Sequence, residues 1–168
     1  NVAMMSENKT LTVDEGQSKV YGEPDPKAYT ATPEGLVSGE SLDYTVGRET
    51  GEDVDTYDVT ITLGSNPNYN VTKTDGSFEI TKRAITIKAA DDSKTYDGKA
   101  LTKNAIKDVE LAEGDSIESV TVTGSQTVVG SSDNVPSAAK IVNAAGEDVT
   151  ASYEIGYENG TLEVTPKA

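Results

Sequence analysis

The sequence predicts an all-β chain built from two tandem, small antiparallel β modules. Three observations support this prediction: apolar and polar residues alternate over short runs, β-branched residues dominate these runs, and the whole pattern occurs twice within 168 residues. The clearest run is 57–63, where four apolar side chains alternate with Asp and Thr. Short strands between frequent turns fit an immunoglobulin-like sandwich best. A β-grasp-like module is the alternative, with its single helix at 99–107.

The two modules meet in the middle of the chain. One strand pattern contains Phe78 and Ile80, and a second pattern, with Ile85 and Ile87, follows with neither Gly nor Pro between them. Flexible linkers need several Gly or Ser residues, which this junction lacks. The closing strand of one module is therefore expected to run almost directly into the opening strand of the next.

The domain boundaries follow from this junction. We assign residues 9–82 to the first module and residues 83–168 to the second. Residues 1–8 show no hydrophobic period and are expected to be disordered or part of an upstream linker. Because residues 160–167 repeat residues 76–82 almost position by position, we expect the two modules to belong to a longer array.

Two dipeptides are predicted to close β-hairpins. Asp75-Gly76 and Asn159-Gly160 each separate two alternating runs, at matching places in the two modules. Asn-Gly suits a type I′ turn, because both central residues of that turn have positive φ. We therefore expect the runs on either side of each dipeptide to pair with each other.

The second module is predicted to be about nine residues longer than the first. The spacing between matching residues is 75 for Tyr21 and Tyr96, but 84 for Gly76 and Gly160. We place the extra residues around 131–145.

Composition narrows the possible functions. The chain has no Cys and no His, so it has neither disulfides nor thiolate zinc sites, and it lacks the commonest general base at neutral pH. A net charge of −15 disfavours binding to nucleic acid and to anionic membranes. No apolar run approaches the roughly 20 residues that cross a bilayer. We expect no cofactor, no metal site and no enzyme activity.

The matched residues resemble the MBG domain family. Similarity to the YGX type lies in KVYGEPDP at 19–26, GLVSGESL at 35–42, Asn68-Tyr69 and FEIT at 78–81. Similarity to the related YDG-type repeat lies in KTYDGK at 94–99 and GTLEV at 160–164. One departure is Asp55, where the YGX family usually has Gly. The resemblance implies a repeat from large bacterial surface proteins and adhesins, outside the cell, with signal and anchor beyond these residues.

Tyr21 and Tyr96 are the first candidate site residues, because they occupy matching loops of the two modules. Two such rings could form a ligand-stacking platform. The more common role of a residue that recurs in each repeat is packing, with the ring closing one end of the core and the hydroxyl bonded to backbone. We expect both rings to be largely buried in equivalent places.

The remaining candidates are charged or amide side chains. Acidic groups that could bind calcium are Glu52, Asp53, Asp55, Asp58, Asp91 and Asp92. Their spacing is not that of a calcium-binding loop, and a solvated acidic face is the expected alternative. Glu23 and Asp25 are a possible acid–base pair of the glycosidase kind. A Lys–Asn isopeptide crosslink, known in some surface adhesins of similar architecture, could draw on Lys82, Lys88, Lys140, Asn104 and Asn143.

The sequence and the resemblance together favour a non-catalytic extracellular module that acts as a stalk or spacer in adhesion. We expect a monomer whose partners are neighbouring repeats of the same chain. The alternative is a module that itself binds host glycan or protein. With eight Tyr, one Phe and no Trp, most aromatic side chains should be used in the cores. A contiguous exposed patch of three or more tyrosines would favour the alternative.

Overall fold

The computed structural model describes residues 7–168, and in this part of the chain nearly all regular structure is β-strand. In chain order the strands are β1 (Glu7–Val13), β2 (Gln17–Val20), β3 (Ala31–Glu34), β4 (Tyr44–Arg48), β5 (Asp55–Leu63), β6 (Tyr69–Thr74), β7 (Gly76–Thr81), β8 (Arg83–Lys88), β9 (Asp92–Thr95), β10 (Ser116–Thr123), β11 (Gly130–Val142), β12 (Tyr153–Glu158) and β13 (Gly160–Thr165). A 3₁₀ turn at Thr150–Ser152 precedes β12. The all-β prediction is confirmed. Within residues 7–168 we find no helix with the length and apolar character needed to cross a bilayer.

The chain divides into two compact units, of which the first ends at Thr81 and the second begins at Lys82. The first unit contains the sheets β3-β1-β6 and β2-β7-β5-β4, and the second contains β10-β11-β13-β9 and β12-β8. Residues 1–6, which we assigned to a disordered or linker segment, lie outside the described residues. Glu7 and Asn8, assigned to the same segment, instead begin β1 and pair with β6.

Most of the strand pairing is common to both units, while the antiparallel pair of β1 with β3 belongs to the first unit. The central pairs are antiparallel, as predicted: β4 with β5 and β5 with β7 in the first unit, β10 with β11 and β11 with β13 in the second. The terminal strands, however, pair in parallel. In the first unit β1 pairs with β6 and β2 with β7, and in the second β8 pairs with β12 and β9 with β13. The prediction of purely antiparallel modules is therefore wrong for the terminal strands of each unit.

The two predicted hairpins are also wrong. The strands on either side of Gly76, β6 and β7, lie in different sheets, and so do β12 and β13 on either side of Gly160. Neither glycine has positive φ. A Cβ on Gly160 would lie 2.6 Å from the carbonyl oxygen of Ala89, and a Cβ on Gly76 would lie 2.7 Å from Cγ1 of Val13. These glycines permit close packing where the chain crosses from one sheet to the other.

The extra residues of the second unit lie at one end of its large sheet. β11 has 13 residues where β5 has nine, and the connection that follows is longer as well, 143–152 against 64–68. Part of this insertion overlaps the predicted region, and the rest lies beyond it. The pairing of β10 with β11 contains register shifts, and Ala138 in this stretch has a φ of 54°.

Each unit has its own core, to which both of its sheets contribute. In the first unit Leu11 and Val13 come from one sheet and Val59, Phe78 and Ile80 from the other, and all are almost fully buried. In the second unit the most deeply buried side chains are those of Ile87, Ile141, Leu162 and Val164. Residues 99–107, where the β-grasp-like alternative places a helix, form no helix, and their regular structure consists of single bridges from Leu101 to Gln126 and from Ile106 to Ala89.

One core position differs in chemistry between the units. Asn134 faces Gly160 in the second unit, whereas Val59 faces Gly76 at the matching place in the first. Asn134 is only 1% exposed, and its Nδ2 donates to the carbonyl oxygens of Ala90 at 2.9 Å and Lys103 at 2.8 Å. A buried amide of this kind is tolerated because its polar atoms are bonded, and here it fixes the segment that follows β8.

The close approach at Gly160 leads to a testable expectation. Gly160→Ala should destabilise the second unit by about 1–3 kcal/mol, because the added methyl must displace the backbone of Ala89 and Ala90. The matched control is Gly156→Ala on β12, where the nearest atoms to a Cβ lie at an ordinary 3.7 Å. Denaturant unfolding of both variants measures the difference. Equal stability of the two variants would contradict the close-packing role of Gly160.

Candidate functional site

The most elaborate polar site of the described residues is a cluster of four charged side chains in the first unit. Nζ of Lys19 lies 2.6 Å from Oδ1 of Asp25 and 2.6 Å from Oε2 of Glu52. Arg48 binds Asp25 through two bonds, Nε to Oδ2 at 2.7 Å and Nη2 to Oδ1 at 3.0 Å. Nη2 of Arg48 also lies 3.4 Å from Oε2 of Glu52. We call these residues the Lys19 cluster, and its two cations and two anions balance in charge.

Burial is uneven across the Lys19 cluster. The cationic side chains are nearly enclosed, at 5% exposure for Lys19 and 7% for Arg48, while Asp25 is 28% and Glu52 69% exposed. An enclosed cation needs a partner, because a buried unpaired charge is very costly. The two carboxylates therefore compensate cations that the fold has removed from water.

Aromatic rings surround the guanidinium group of Arg48. Its central carbon lies 5.0 Å from the ring centroid of Phe78 and 5.0 Å from that of Tyr57, within the range of cation–π attraction. Tyr29 packs edge-on against Phe78, with ring centroids 5.5 Å apart. The hydroxyl of Tyr29 donates to Asp25 and accepts from Nε of Arg48. The cluster is thus packed against the core at Phe78.

The electrostatics favour the charged forms of Asp25, Lys19 and Arg48. The bonds from Arg48 hold the pKa of Asp25 far below its usual value, and Lys19 and Tyr29 add to this effect. Burial by itself would lower the pKa of Lys19, but its bonds to Asp25 and Glu52 outweigh burial and raise it. The Asp25 carboxylate likewise raises the pKa of Arg48. Burial and the neighbouring Asp25 raise the pKa of the Tyr29 hydroxyl.

The members of the cluster come from four separate places in the first unit. Lys19 lies on β2, Arg48 is the last residue of β4, and Asp25 and Glu52 lie in the loops that follow these strands. Lys19 points inward because side chains alternate along a strand, and it shares its face with Tyr21. The cluster therefore ties the loop after β2 to the loop between β4 and β5.

The second unit has a reduced version of this arrangement. Lys94 matches Lys19, and its Nζ lies 2.8 Å from Oδ1 of Asp97, which also accepts the backbone N–H of Lys99. Lys94 is more exposed than Lys19, at 24%. The matching lysine of the second unit therefore has one carboxylate in its ion pair, where Lys19 has two.

The prediction for the two tyrosines is confirmed for Tyr21 and wrong for Tyr96. Tyr21 is 9% exposed and Tyr96 is 39% exposed. The backbone positions are equivalent, because the N–H of each donates at 2.8 Å to the last residue of the closing strand, Thr81 or Thr165.

Four of the six acidic residues that we considered for calcium, namely Glu52, Asp55, Asp91 and Asp92, bind protein groups instead. Oδ1 of Asp91 accepts the N–H of Thr161 at 2.7 Å, and this bond, with the ion pair to Lys107, lowers the pKa of Asp91. Asp92 and Asp55 each accept the N–H of the next residue. Glu52 belongs to the Lys19 cluster. Among residues 7–168 no three acidic side chains converge as a metal site requires.

Several of the other candidate residues have surroundings that do not fit the predicted chemistry. Glu23 is exposed, whereas Asp25 is bound within the Lys19 cluster, so the structure does not place the two as an acid–base pair. Lys140 pairs with Glu118 at 3.2 Å. Asn143 accepts the N–H groups of Ala145 and Glu147 in its own turn.

The Lys19 cluster brings a lysine and carboxylates together at bonding distance, which is the contact that an isopeptide bond would require. Condensation of Lys19 with Asp25 would need a neutral amine and a protonated carboxyl group. The cluster has the opposite effect, because it raises the pKa of Lys19 and lowers that of Asp25. The chemistry of this site is therefore ion pairing.

Sequence reasoning did not identify the cluster. Arg48 was not a candidate, and Asp25 and Glu52 were considered only for other chemistry. One signal was present: Lys19 and Lys94 stand two residues before matching tyrosines, which puts each lysine on the inward face of a strand. An inward lysine implies a carboxylate partner, although the partner's position depends on the fold.

Few large apolar side chains are exposed among the described residues. They are Val37, Tyr96, Val128, Val129, Val135 and Tyr157. The two tyrosines lie in different sheets of the second unit, Tyr96 after β9 and Tyr157 on β12, where its hydroxyl accepts the N–H of Ala139. In residues 7–168 no patch of three exposed tyrosines is present.

These features define a class of protein: an all-β chain with two units of matching strand pairing, in which the charged side chains of the main polar site bind each other. Residues 10–79, within the first unit, match the family model of the MBG domain (YGX type). The YGX-type resemblance is therefore confirmed for this part of the chain, while the YDG-type resemblance of the second unit stays a prediction. No curated protein and no solved structure matches the chain.

The Lys19 cluster gives a stability prediction. Asp25→Asn should destabilise the first unit by about 2–3 kcal/mol, because the variant leaves two enclosed cations with Glu52 as their only carboxylate partner in the cluster. Asp97→Asn is the matched control in the second unit, where the ion pair is exposed and a smaller loss is expected. Denaturant unfolding followed by amide NMR signals of each unit measures both. A loss for Asp25→Asn no larger than that of the control would contradict the role of the cluster.

The same carboxylate should make the first unit sensitive to acid. Because the pKa of Asp25 is lower in the folded state, its contribution is present above the ordinary carboxylate value of about 3.9. That contribution is lost as the pH falls below this value through the folded-state pKa. Between pH 4 and 2 the stability of the unchanged first unit should therefore fall more steeply than that of Asp25→Asn. Parallel slopes in acid titrations of the two proteins would show that Asp25 is not the group responsible.

Proposed function

We propose that this chain is a non-catalytic extracellular segment of a bacterial cell-surface protein, and that its two units act as a stalk or spacer in adhesion. The observation that carries the proposal is that the polar groups of its main site are already bonded to groups of the same unit. The cations of the Lys19 cluster bind carboxylates of the same unit, and Asp91 of the second unit binds the N–H of Thr161 and the side chain of Lys107. Groups that already bind each other hold a fold together and are not free to hold a ligand.

The family match supports the proposal from a second direction. Residues 10–79 match the MBG domain model, and the second unit repeats the strand pairing of the first. We propose that the second unit is a related, YDG-type repeat. Lys94 and Tyr96 support this relation, because they occupy the positions of Lys19 and Tyr21 and Tyr96 makes the same backbone bond. Repeated units in tandem suit a role in which length matters more than any single surface.

The charge state of Asp25 argues against an enzyme of the glycosidase kind. A general acid in such an enzyme needs a carboxyl group with a raised pKa, and Arg48 lowers that of Asp25. We therefore propose a chain without catalytic residues, cofactor or metal ion, with neighbouring repeats of the same chain as its partners.

The alternative function, a module that binds host glycan or protein, is favoured by one observation. Tyr96 and Tyr157 expose about two-fifths of their surface on the second unit, and exposed aromatic rings are common anchors in binding sites. These rings lie in different sheets, so they do not form the contiguous aromatic surface that a binding site of this kind uses. We rank this alternative below the spacer role.

A binding experiment separates the two functions. The purified chain is applied to immobilised glycans and to host extracellular proteins, and we expect no saturable binding. The matched test proteins are Tyr96→Ser and Tyr157→Ser, with Tyr44→Ser as the control for loss of a half-buried tyrosine. Saturable binding that is lost in either of the first two variants, but kept in the control, would replace the spacer role with the binding role.

A further inference from the structure

The two ends of each unit are held together by parallel strands. In the first unit the chain begins with β1 and β2 and ends with β6 and β7, and the early strands pair in parallel with the late ones. Six residue pairs join β1 to β6, from Glu7 with Tyr69 to Thr12 with Thr74. Four more join β2 to β7, from Gln17 with Phe78 to Val20 with Thr81. We call these two parallel strand pairs together the ribbon. The ribbon continues from one sheet into the other.

The second unit repeats this ribbon with the same number of pairs. Six pairs join β8 to β12, from Arg83 with Tyr153 onward, and four join β9 to β13, ending at Thr95 with Thr165. Two units that differ in core chemistry and in length therefore keep the pairing of their terminal strands unchanged. This agreement indicates that the sequences of both units specify the parallel pairing of their terminal strands.

The lysine–tyrosine motif forms the end of the ribbon in both units. The N–H of Tyr21 donates to the carbonyl oxygen of Thr81 at 2.8 Å, and Oγ1 of Thr81 donates to the carbonyl oxygen of Lys19 at 3.3 Å. In the second unit Tyr96, Thr165 and Lys94 make the same two bonds, at 2.8 and 3.3 Å. These bonds lie at the end of the closing strand. The motif therefore fastens the last residue of each closing strand, Thr81 or Thr165, to the early strand beside it.

We propose that this ribbon is a mechanical clamp, which lets each unit resist unfolding when the chain is pulled from its two ends. Tension pulls the opening strand toward its beginning and the closing strand toward its end. In a parallel pair these directions are opposite along the strands, so the two strands must slide past each other. Sliding loads the hydrogen bonds of the ribbon together, and many must break at once before either strand separates.

The antiparallel pairs of the same unit would respond differently. β4 and β5 pair antiparallel, with Tyr44 at the start of one opposite Leu63 at the end of the other. Tension applied across facing residues of such a pair opens its bonds one after another, which requires less force at any moment. Resistance to tension is therefore expected to depend on the direction of pulling, even though the same unit unfolds.

The biological meaning of the clamp depends on the proposed spacer role, since a stalk between a surface and its target carries tension. The mechanical property itself is independent of that role. Saturable ligand binding would contradict the spacer role but would not bear on the clamp. A low unfolding force for the ribbon would contradict the clamp but would not change the result of the binding experiment. The two proposals can therefore fail separately.

Single-molecule force spectroscopy tests the clamp on the 168-residue chain. Because the chain has no cysteine, attachment points can be chosen freely by adding cysteine residues. One protein carries a cysteine at each terminus, and the other carries Thr45→Cys with Thr62→Cys, an exposed facing pair on β4 and β5. If the second protein does not fold, Gly47→Cys with Thr60→Cys gives the same geometry, since a Cβ at Gly47 meets nothing within 4 Å.

The expected result is a several-fold higher unfolding force for the first unit when it is pulled from the termini than from the facing pair, at the same loading rate. Denaturant unfolding of both proteins without force should give similar stabilities, which assigns the difference to direction. Pulling from the termini should also give two separate unfolding events of similar force, since both units have the same ribbon. Equal forces in the two geometries, or lower force from the termini, would overturn the proposal.

Discussion

The parallel pairing of terminal strands is the constraint on which the rest of each unit depends. Two parallel strands cannot be joined by a tight turn, because the chain must return to the starting end before it can run in the same direction again. In the first unit residues 21–68, which include β3, β4 and β5, fill this long return between β2 and β6. The central antiparallel strands thus both close the sheets and carry the chain back. The glycines at 76 and 160 complete the arrangement, because they let the closing strand pass tightly from one sheet into the other.

Much of the fold could be predicted from the sequence, and the part that could not has a physical reason. Alternation identifies strands such as 57–63, and the repeat identifies two units, because both signals depend on residues near each other in the chain. A period of two is the same for parallel and antiparallel strands, so it could not show that β6 pairs with β1 instead of β7. Asp75-Gly76 resembles a hairpin turn, yet Asp75 accepts the N–H of Ile61 on β5 at 3.0 Å and Gly76 packs on Val13. The same dipeptide fits both a hairpin turn and a crossing of the chain between two sheets, and only tertiary packing distinguishes these two structures.

The candidate site shows more clearly what local sequence cannot predict. Tyr21 and Tyr96 have the same motif and make the same backbone bond, but the first ring is buried and the second is exposed. A motif can therefore fix the backbone without fixing what surrounds the side chain. The Lys19 cluster joins residues separated by up to 33 positions, and its geometry arises only when two loops meet. Local sequence indicated that Lys19 points inward, but it could not indicate that Arg48 would share the same carboxylate.

The difference between the two units explains what the charged cluster contributes. A buried ion pair gives little net stability compared with well-packed apolar residues, because removing charges from water costs nearly as much as their attraction returns. In the second unit Lys94, which matches Lys19, makes one ion pair, to Asp97 at 2.8 Å, and is more exposed. The first unit instead uses directional bonds, which hold the loop after β2 against the loop between β4 and β5 in one geometry. Its cluster therefore specifies a loop conformation more than it adds free energy, and the lowered pKa of Asp25 makes that conformation dependent on pH.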